Sequence, residues 1–199
     1  FAGSYLLHSV SLTGKKTFAS TADGIQSYTE YDGSPDQKLL YTFNMKSGTS
    51  FIGGWTNTYN ALKVVTSTIF DYASGSYLEH SVSLTGKKTS ASTGDAIQSY
   101  TEYDGSPDQK LLYTFNLKSE TNFIADFANG YQVGDVNTST IFDYAQSQFL
   151  QHSVSLTGKK TQATGGEAIQ SYTQYDGSSD QKLKYTFNLK SGTQFIAGF

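Results

Sequence analysis

Apolar and polar residues alternate with a period of two near the start of the chain. Leu6, His8, Val10 and Leu12 fall on one side, Leu7, Ser9, Ser11 and Thr13 on the other. Side chains two apart share a strand face, so this run predicts a β-strand. The alternation returns further on, with Leu39, Tyr41, Phe43 and Met45 set against Leu40, Thr42, Asn44 and Lys46. Between them IQSYTEY (25–31) is rich in residues that suit a pleated surface. TGKKT (13–17) turns the chain out of the first run. YDGSPD (31–36), with Asp-Gly and Ser-Pro-Asp, turns it into the third. A short run, TSFIGGW (49–55), closes the unit, and no segment carries a helical period.

The whole pattern then recurs. HSVSLTGKKT begins at His8, His80 and His152, IQSYT at Ile25, Ile97 and Ile169, and YTFN at Tyr41, Tyr113 and Tyr185, always 72 residues apart. Three units, 1–55, 73–127 and 145–199, are joined by connectors 56–72 and 128–144. Both connectors end in TSTIFDY (66–72 and 138–144). Flexible linkers seldom repeat their sequence, so this segment is read as structured. Unit 1 has no TSTIFDY before it, so the segment serves the unit it comes after or the array was longer.

A fixed period of this kind signals an array or a pseudo-symmetric closed fold. Four or five strands per unit, with one more from each connector, make the chain all-β. A 55-residue unit buries a limited share of its surface. Three tandem modules are therefore expected, each a small sandwich or barrel-like unit completed by a connector strand. The alternative is a single pseudo-threefold assembly resembling a β-prism. Comparison of the three copies assigns the faces. Leu7 becomes Glu79 and Gln151, and Leu40 becomes Leu112 and Lys184, so those sides face water. Leu6, Leu78, Leu150, Phe43, Phe115 and Phe187 stay apolar and are expected in the core.

Composition narrows the function. Serine (26) and threonine (24) supply a quarter of the 199 residues, and 15 tyrosines add further hydroxyls. There is no cysteine, which removes thiolate chemistry, disulfides and cysteine-ligated metals. All 14 basic residues are lysine and the net charge is −3, a poor match to nucleic acid, where arginine supplies bidentate contacts. No apolar stretch reaches the ~18 residues of a spanning helix, so no membrane partner is expected. No signal peptide opens the chain, and its first residue, Phe1, points to processing or trimming. The sequon Asn137-Thr138-Ser139 is compatible with an extracellular protein.

Candidate chemistry is repeated rather than convergent. His8, His80 and His152 lie on an apolar strand face without a second His or a Cys nearby, which reads as a hydrogen-bonded core position. The acidic loops (Glu30, Asp32, Asp36; Glu102, Asp104, Asp108; Gln174, Asp176, Asp180) offer oxygen ligands for calcium but lack EF-hand spacing, and a turn explains them equally. The pairs Lys15/Lys16, Lys87/Lys88 and Lys159/Lys160 are candidates for contact with an anionic partner or mineral. Tyr28, Tyr31, Asp32, Tyr100, Tyr103, Asp104, Tyr172, Tyr175 and Asp176 set aromatic faces beside hydrogen-bonding groups, as sugar sites do. No GxSxG occurs, and an active site needs different residues converging, so no enzyme activity, catalytic residue or cofactor is expected.

Two functional readings survive. One is an extracellular scaffold whose equal units present one surface at regular intervals. Unit charges of 0, −3 and +2 favour ordered self-association, with Lys159, Lys160 and Lys184 at the basic end. The other is a multivalent lectin with one glycan site per unit, strengthened by avidity. The HSVSLTGKKT and YTFNLKSGT-like blocks, repeated over the whole chain without cysteine and with abundant Ser, Thr and Tyr, resemble the silicatein-interactor-type repeat proteins of sponge spicule axial filaments. That resemblance implies a connector packed between silicatein molecules in a protein–silica lattice, with silicatein performing the silica chemistry. Hydroxyls and lysines would then meet silanol and silanolate groups.

Overall fold

The computed structural model describes residues 5–72, 75–127, 129–145 and 147–196. Each unit supplies three strands and each connector one. In unit 1 these are β1 (His8–Leu12), β2 (Ile25–Tyr31) and β3 (Leu39–Met45), succeeded by connector strand β4 (Val64–Asp71). The second set is β5 (His80–Thr85), β6 (Ile97–Tyr103), β7 (Leu111–Leu117) and connector strand β8 (Val136–Asp143). The last is β9 (His152–Thr157), β10 (Ile169–Tyr175) and β11 (Leu183–Asn188). The run at 49–55 is not a strand; Ser50 makes only an isolated bridge to Gly24.

All eleven strands join in chain order as one open antiparallel sheet. The all-β reading therefore holds, but the units do not close separately into sandwiches or barrels, nor into the three sheets of a prism. The reason lies in the connectors. β4 pairs with β3 before it and with β5 after it, and β8 likewise with β7 and β9. A connector strand thus serves both neighbouring units and fuses their sheets.

One face of the sheet is apolar. Tyr28, Phe43, Ile69, Val82, Leu84, Tyr100, Phe115, Val154 and Leu156 form its core. Loops 46–63 and 118–135 fold over this face and seat Phe51, Tyr59, Phe123 and Tyr131 in the same cluster. Tyr59 lies 5.7 Å from Tyr28 and Tyr131 lies 5.8 Å from Tyr100, ring centre to ring centre. The loops are therefore the second layer of the fold, and burial of their aromatics is what holds them there. In the TGKKT turn, Gly14, Gly86 and Gly158 all have φ between 75° and 79°, a conformation that a Cβ would strain. Register steps sideways as the sheet grows. Tracing paired residues from His8 through Glu30, Tyr41 and Ile69 leads to Val82, two residues past the equivalent His80.

The alternation assigned Leu7 and Leu40 to the wet side, and both are exposed. Phe43, Phe115, Leu78 and Leu150 are in the core as expected. Leu6 and Phe187, expected there too, are 42% and 55% exposed. They lie beside the two outermost strands of the sheet, which among the described residues have one neighbouring strand each.

Candidate interaction surfaces

The opposite face of the sheet is a lattice of hydroxyls. One row of paired residues runs Ser9, Thr29, Thr42, Thr68, Ser83, Ser99, Asn116, Thr138 and Thr157 across nine strands. A second begins at Ser81 and passes through Thr101, Thr114, Thr140, Ser155 and Ser171 to Asn188. Strands in a sheet lie about 4.8 Å apart, so the rows repeat at that interval. Some members brace one another. Thr29 and Thr42 hydroxyl oxygens are 2.9 Å apart, Thr101 and Thr114 3.0 Å, and Asn116 Nδ2 donates to Thr138 Oγ1 at 2.9 Å. The sequence shows the abundance of Ser and Thr; the pairing register turns that abundance into ordered rows.

The lysine pairs are mostly committed inside the fold. Lys87 Nζ donates to the carbonyls of Asn57 (2.6 Å) and Tyr59 (2.9 Å) and sits 5.5 Å from the centre of the Phe43 ring. Lys159 repeats this with Asn129 (2.9 Å), Tyr131 (2.7 Å) and Phe115. Lys16, Lys88 and Lys160 form ion pairs with Asp23, Asp95 and Glu167. As contact candidates for an outside partner they are thus largely engaged, whereas Lys15 is exposed.

These ion pairs hold their acids below the usual carboxylate range. For Asp23 the Lys16 hydrogen bond is the main cause, aided by the Ser20 N–H. For Asp95 burial pushes upward, but the Lys88 hydrogen bond, the Ser92 N–H and the lysine charge together outweigh it. Glu167 is lowered in the same way by the Thr164 N–H and Lys160 against burial.

The aromatic–acidic candidates for sugar contact are split between faces. Tyr28 and Tyr100 are fully buried on the apolar side, and their hydroxyls donate to Glu30 and Glu102. Burial, then the neighbouring carboxylate, raises the ionisation of both well above the ordinary tyrosine value. Neither ring can meet a ligand without opening the core. Tyr172 is partly exposed, and Tyr31, Tyr103 and Tyr175 are partly exposed on the hydroxyl face.

Asp32 Oδ1 accepts from the N–H groups of Ser34 (2.9 Å) and Lys38 (3.1 Å), so it closes its own turn. Asp104 and Asp176 do the same for Ser106, Lys110, Ser178 and Lys182. Among the described residues no three His, Asp or Glu side chains converge as a metal set. No helix in the described residues is long and apolar enough to cross a membrane.

Each histidine sits beside a carboxylate from a neighbouring strand. His80 Nδ1 donates to Asp71 Oδ2 at 2.8 Å, and its Nε2 lies 3.7 Å from Glu102. His152 pairs with Asp143 at 3.2 Å. His8 Nε2 lies 3.3 Å from Glu30, the equivalent of the His80–Glu102 contact. The expectation of hydrogen-bonded core histidines holds in part: His80 and His152 are hydrogen-bonded, but all three histidines are half-buried rather than in the core, and their partners come from neighbouring strands. Trp55 and Phe127, at equivalent positions, both adopt positive φ (53° and 52°). Phe127 stacks 6.1 Å from His80, while Trp55 and His8 line an open groove of about 690 Å³ with Tyr5, Leu6, Leu7 and Gln37.

No known family model, no curated protein and no solved structure matches this chain.

Proposed function

We propose that the chain is a non-enzymatic structural connector of an extracellular, mineral-associated matrix. Its hydroxyl face lies against silica, and its repeats order a partner protein of silicatein type. The observation that carries this reading is the pair of rows, made of Ser and Thr apart from Asn116 and Asn188, that span nine and seven neighbouring strands of the sheet. Thr29, Ser81 and Thr101 are buried, but Thr42, Thr68, Ser83, Thr140 and Ser155 are partly exposed and present donors and acceptors in register, and a silanol surface offers the complementary groups. The sum of weak contacts, rather than one tight site, then gives retention.

Adsorption to colloidal silica tests it. The variant Thr68→Val, Ser83→Ala, Thr140→Val, Ser155→Ala removes four hydroxyls from the middle of the lattice with little change in shape. Adsorption is expected to fall several-fold while the circular dichroism spectrum is kept. Adsorption equal to that of the unaltered chain would rule out the hydroxyl face as the silica contact. The lectin reading retains Tyr31, Tyr103, Tyr172 and Tyr175 and would be favoured by selective binding on a glycan array.

A further inference from the structure

Asn57 and Asn129 occupy the same place in successive repeats, in the covering loops 46–63 and 118–135. Their surroundings match closely. The Asn129 side-chain amide donates to the Tyr113 hydroxyl at 2.8 Å, and the Asn57 amide to Tyr41 at 2.5 Å. Their main-chain carbonyls accept from Lys159 and Lys87, at 2.9 and 2.6 Å. What differs is the next residue, Gly130 in one repeat and Thr58 in the other.

We propose that Asn129 is a site of spontaneous covalent modification, converting to aspartate and isoaspartate, and that the isoaspartate form loosens its loop. The main-chain nitrogen of Gly130 attacks the Asn129 side-chain carbon, Cγ. A C–N bond forms and closes a five-membered imide as the Cγ–Nδ2 bond breaks. The amide nitrogen leaves as ammonia, taking the proton that the Gly130 nitrogen gives up. One water molecule then opens the ring. Opening at Cγ gives aspartate, and opening at the main-chain carbonyl carbon gives isoaspartate, in which the backbone runs through the former side chain. This goes beyond the silica reading, which needs no covalent change.

The setting of Asn129 favours the step. Asn129 and Gly130 are both exposed, so water reaches the ring. Glycine sets no side chain against the approach of its own nitrogen, whereas the branched Thr58 crowds it and stiffens the backbone. Nor does the fold require glycine here. The φ of Gly130 lies outside the left-handed region, and an added Cβ would meet Ile124 Cδ1 at 3.7 Å, an ordinary contact.

The consequence falls on Lys159. Its ammonium is held by the carbonyls of Asn129 and Tyr131 and lies 5.6 Å from the centre of the Phe115 ring. Isoaspartate lengthens the main chain and shifts the first of these carbonyls, so the loop over Phe115 loses one of its two anchors to Lys159. The equivalent loop over Phe43, with Thr58 after Asn57, keeps both of its anchors to Lys87.

The test keeps the full chain for weeks in mildly alkaline buffer and follows each asparagine by peptide mass mapping. Asn129 is expected to convert at least tenfold faster than Asn57, with isoaspartate scored by enzymatic methylation. Gly130→Ala is expected to slow Asn129 at least tenfold, and Thr58→Gly to raise Asn57 towards the Asn129 rate. Circular dichroism checks that both variants fold. In the converted chain, separated by ion exchange, hydrogen exchange is expected to quicken over residues 129–135 and to stay unchanged over 57–63. Similar rates at Asn129 and Asn57, conversion at Asn129 only when urea has unfolded the chain, no slowing by Gly130→Ala, or unchanged exchange over 129–135 would each overturn the proposal. None of these outcomes bears on silica adsorption, which is measured on the fresh chain.

Discussion

β7 and β11 are nearly the same sequence, LLYTFNL and LKYTFN, in opposite surroundings. Phe115 is completely buried and Phe187 is 55% exposed. The difference lies in the segment C-terminal to each strand. Beyond β7, loop 118–135 and β8 lay Tyr131, Val136 and Ile141 over and beside the aromatic face. Beyond β11 no described segment does. The repeat therefore does not carry its own core. Burial at any strand depends on the next connector, as expected of a fold in which each repeat is stabilised across its interfaces.

The largest test of that comparison is a pair of truncations. Phe115→Ala opens a cavity in the centre of the core and is expected to cost about 3–5 kcal/mol in urea unfolding. Phe187→Ala removes an already exposed ring and is expected to stay within about 0.5 kcal/mol. Similar costs at the two positions would mean that β11 is covered in solution and that the two strands do not differ in environment.

The same contrast explains how far the sequence could be read. Periodicity in one unit and identity among three gave strands, turns, the 72-residue period and the structured connector, because those properties are local. Outward Leu7 and Leu40 were legible from tolerance of charge at Glu79, Gln151 and Lys184. Leu6 and Phe187 were misassigned because repetition of sequence was taken as repetition of environment, and environment depends on a neighbour. The joining of units into one sheet was illegible for a related reason. A strand with two apolar-facing neighbours has the same alternation whether those neighbours belong to one unit or two. Ser67 and Ser139 gave no signal, since a buried serine inside TSTIFDY looks like any other strand hydroxyl. Lys87 and Lys159 were read as contacts for an outside anionic partner or mineral, and only folding brings them over the carbonyls of residues some 30 positions earlier.

The next largest effect concerns that buried serine. Ser139→Ala removes the donor to the Gly158 carbonyl and the acceptor of the Lys160 N–H in one step. Leaving such groups unpaired costs about 1–3 kcal/mol. Ser67→Ala should cost a similar amount, because β4 is held identically. A negligible loss at both positions, measured by urea titration, would show that the serine is not a fastener of the connector strand.

Lysines at equivalent positions sharpen the comparison further. Lys159→Met keeps the aliphatic stem but removes the ammonium between two carbonyls and the Phe115 ring, at an expected cost of about 1 kcal/mol. Lys15→Met, at the equivalent but exposed position, is expected to leave the melting temperature unchanged. Equal losses of stability would mean that Lys15 has a partner equivalent to that of Lys159.

The smallest effect is a control on whether the outer strands are loose alone or together with the rest of their units. The pairs Lys16–Asp23, Lys88–Asp95 and Lys160–Glu167 each lie within one unit and need no connector. Their acids are held below the ordinary carboxylate value when folded. A group lowered in this way stabilises the fold above its unfolded pKa, about 4, and that contribution is lost as pH falls through the lower folded value. The melting temperature is therefore expected to decline gently below about pH 4, by little at each partly exposed pair. Asp23→Asn, Asp95→Asn and Glu167→Gln should each flatten the decline to the same small degree. Equal slopes at the first, middle and last units would mean that the interior of every repeat is alike, and that the exposure at β11 does not reach into the rest of its unit. A much weaker slope for Asp23 or Glu167 than for Asp95 would instead spread the loosening through the whole terminal unit.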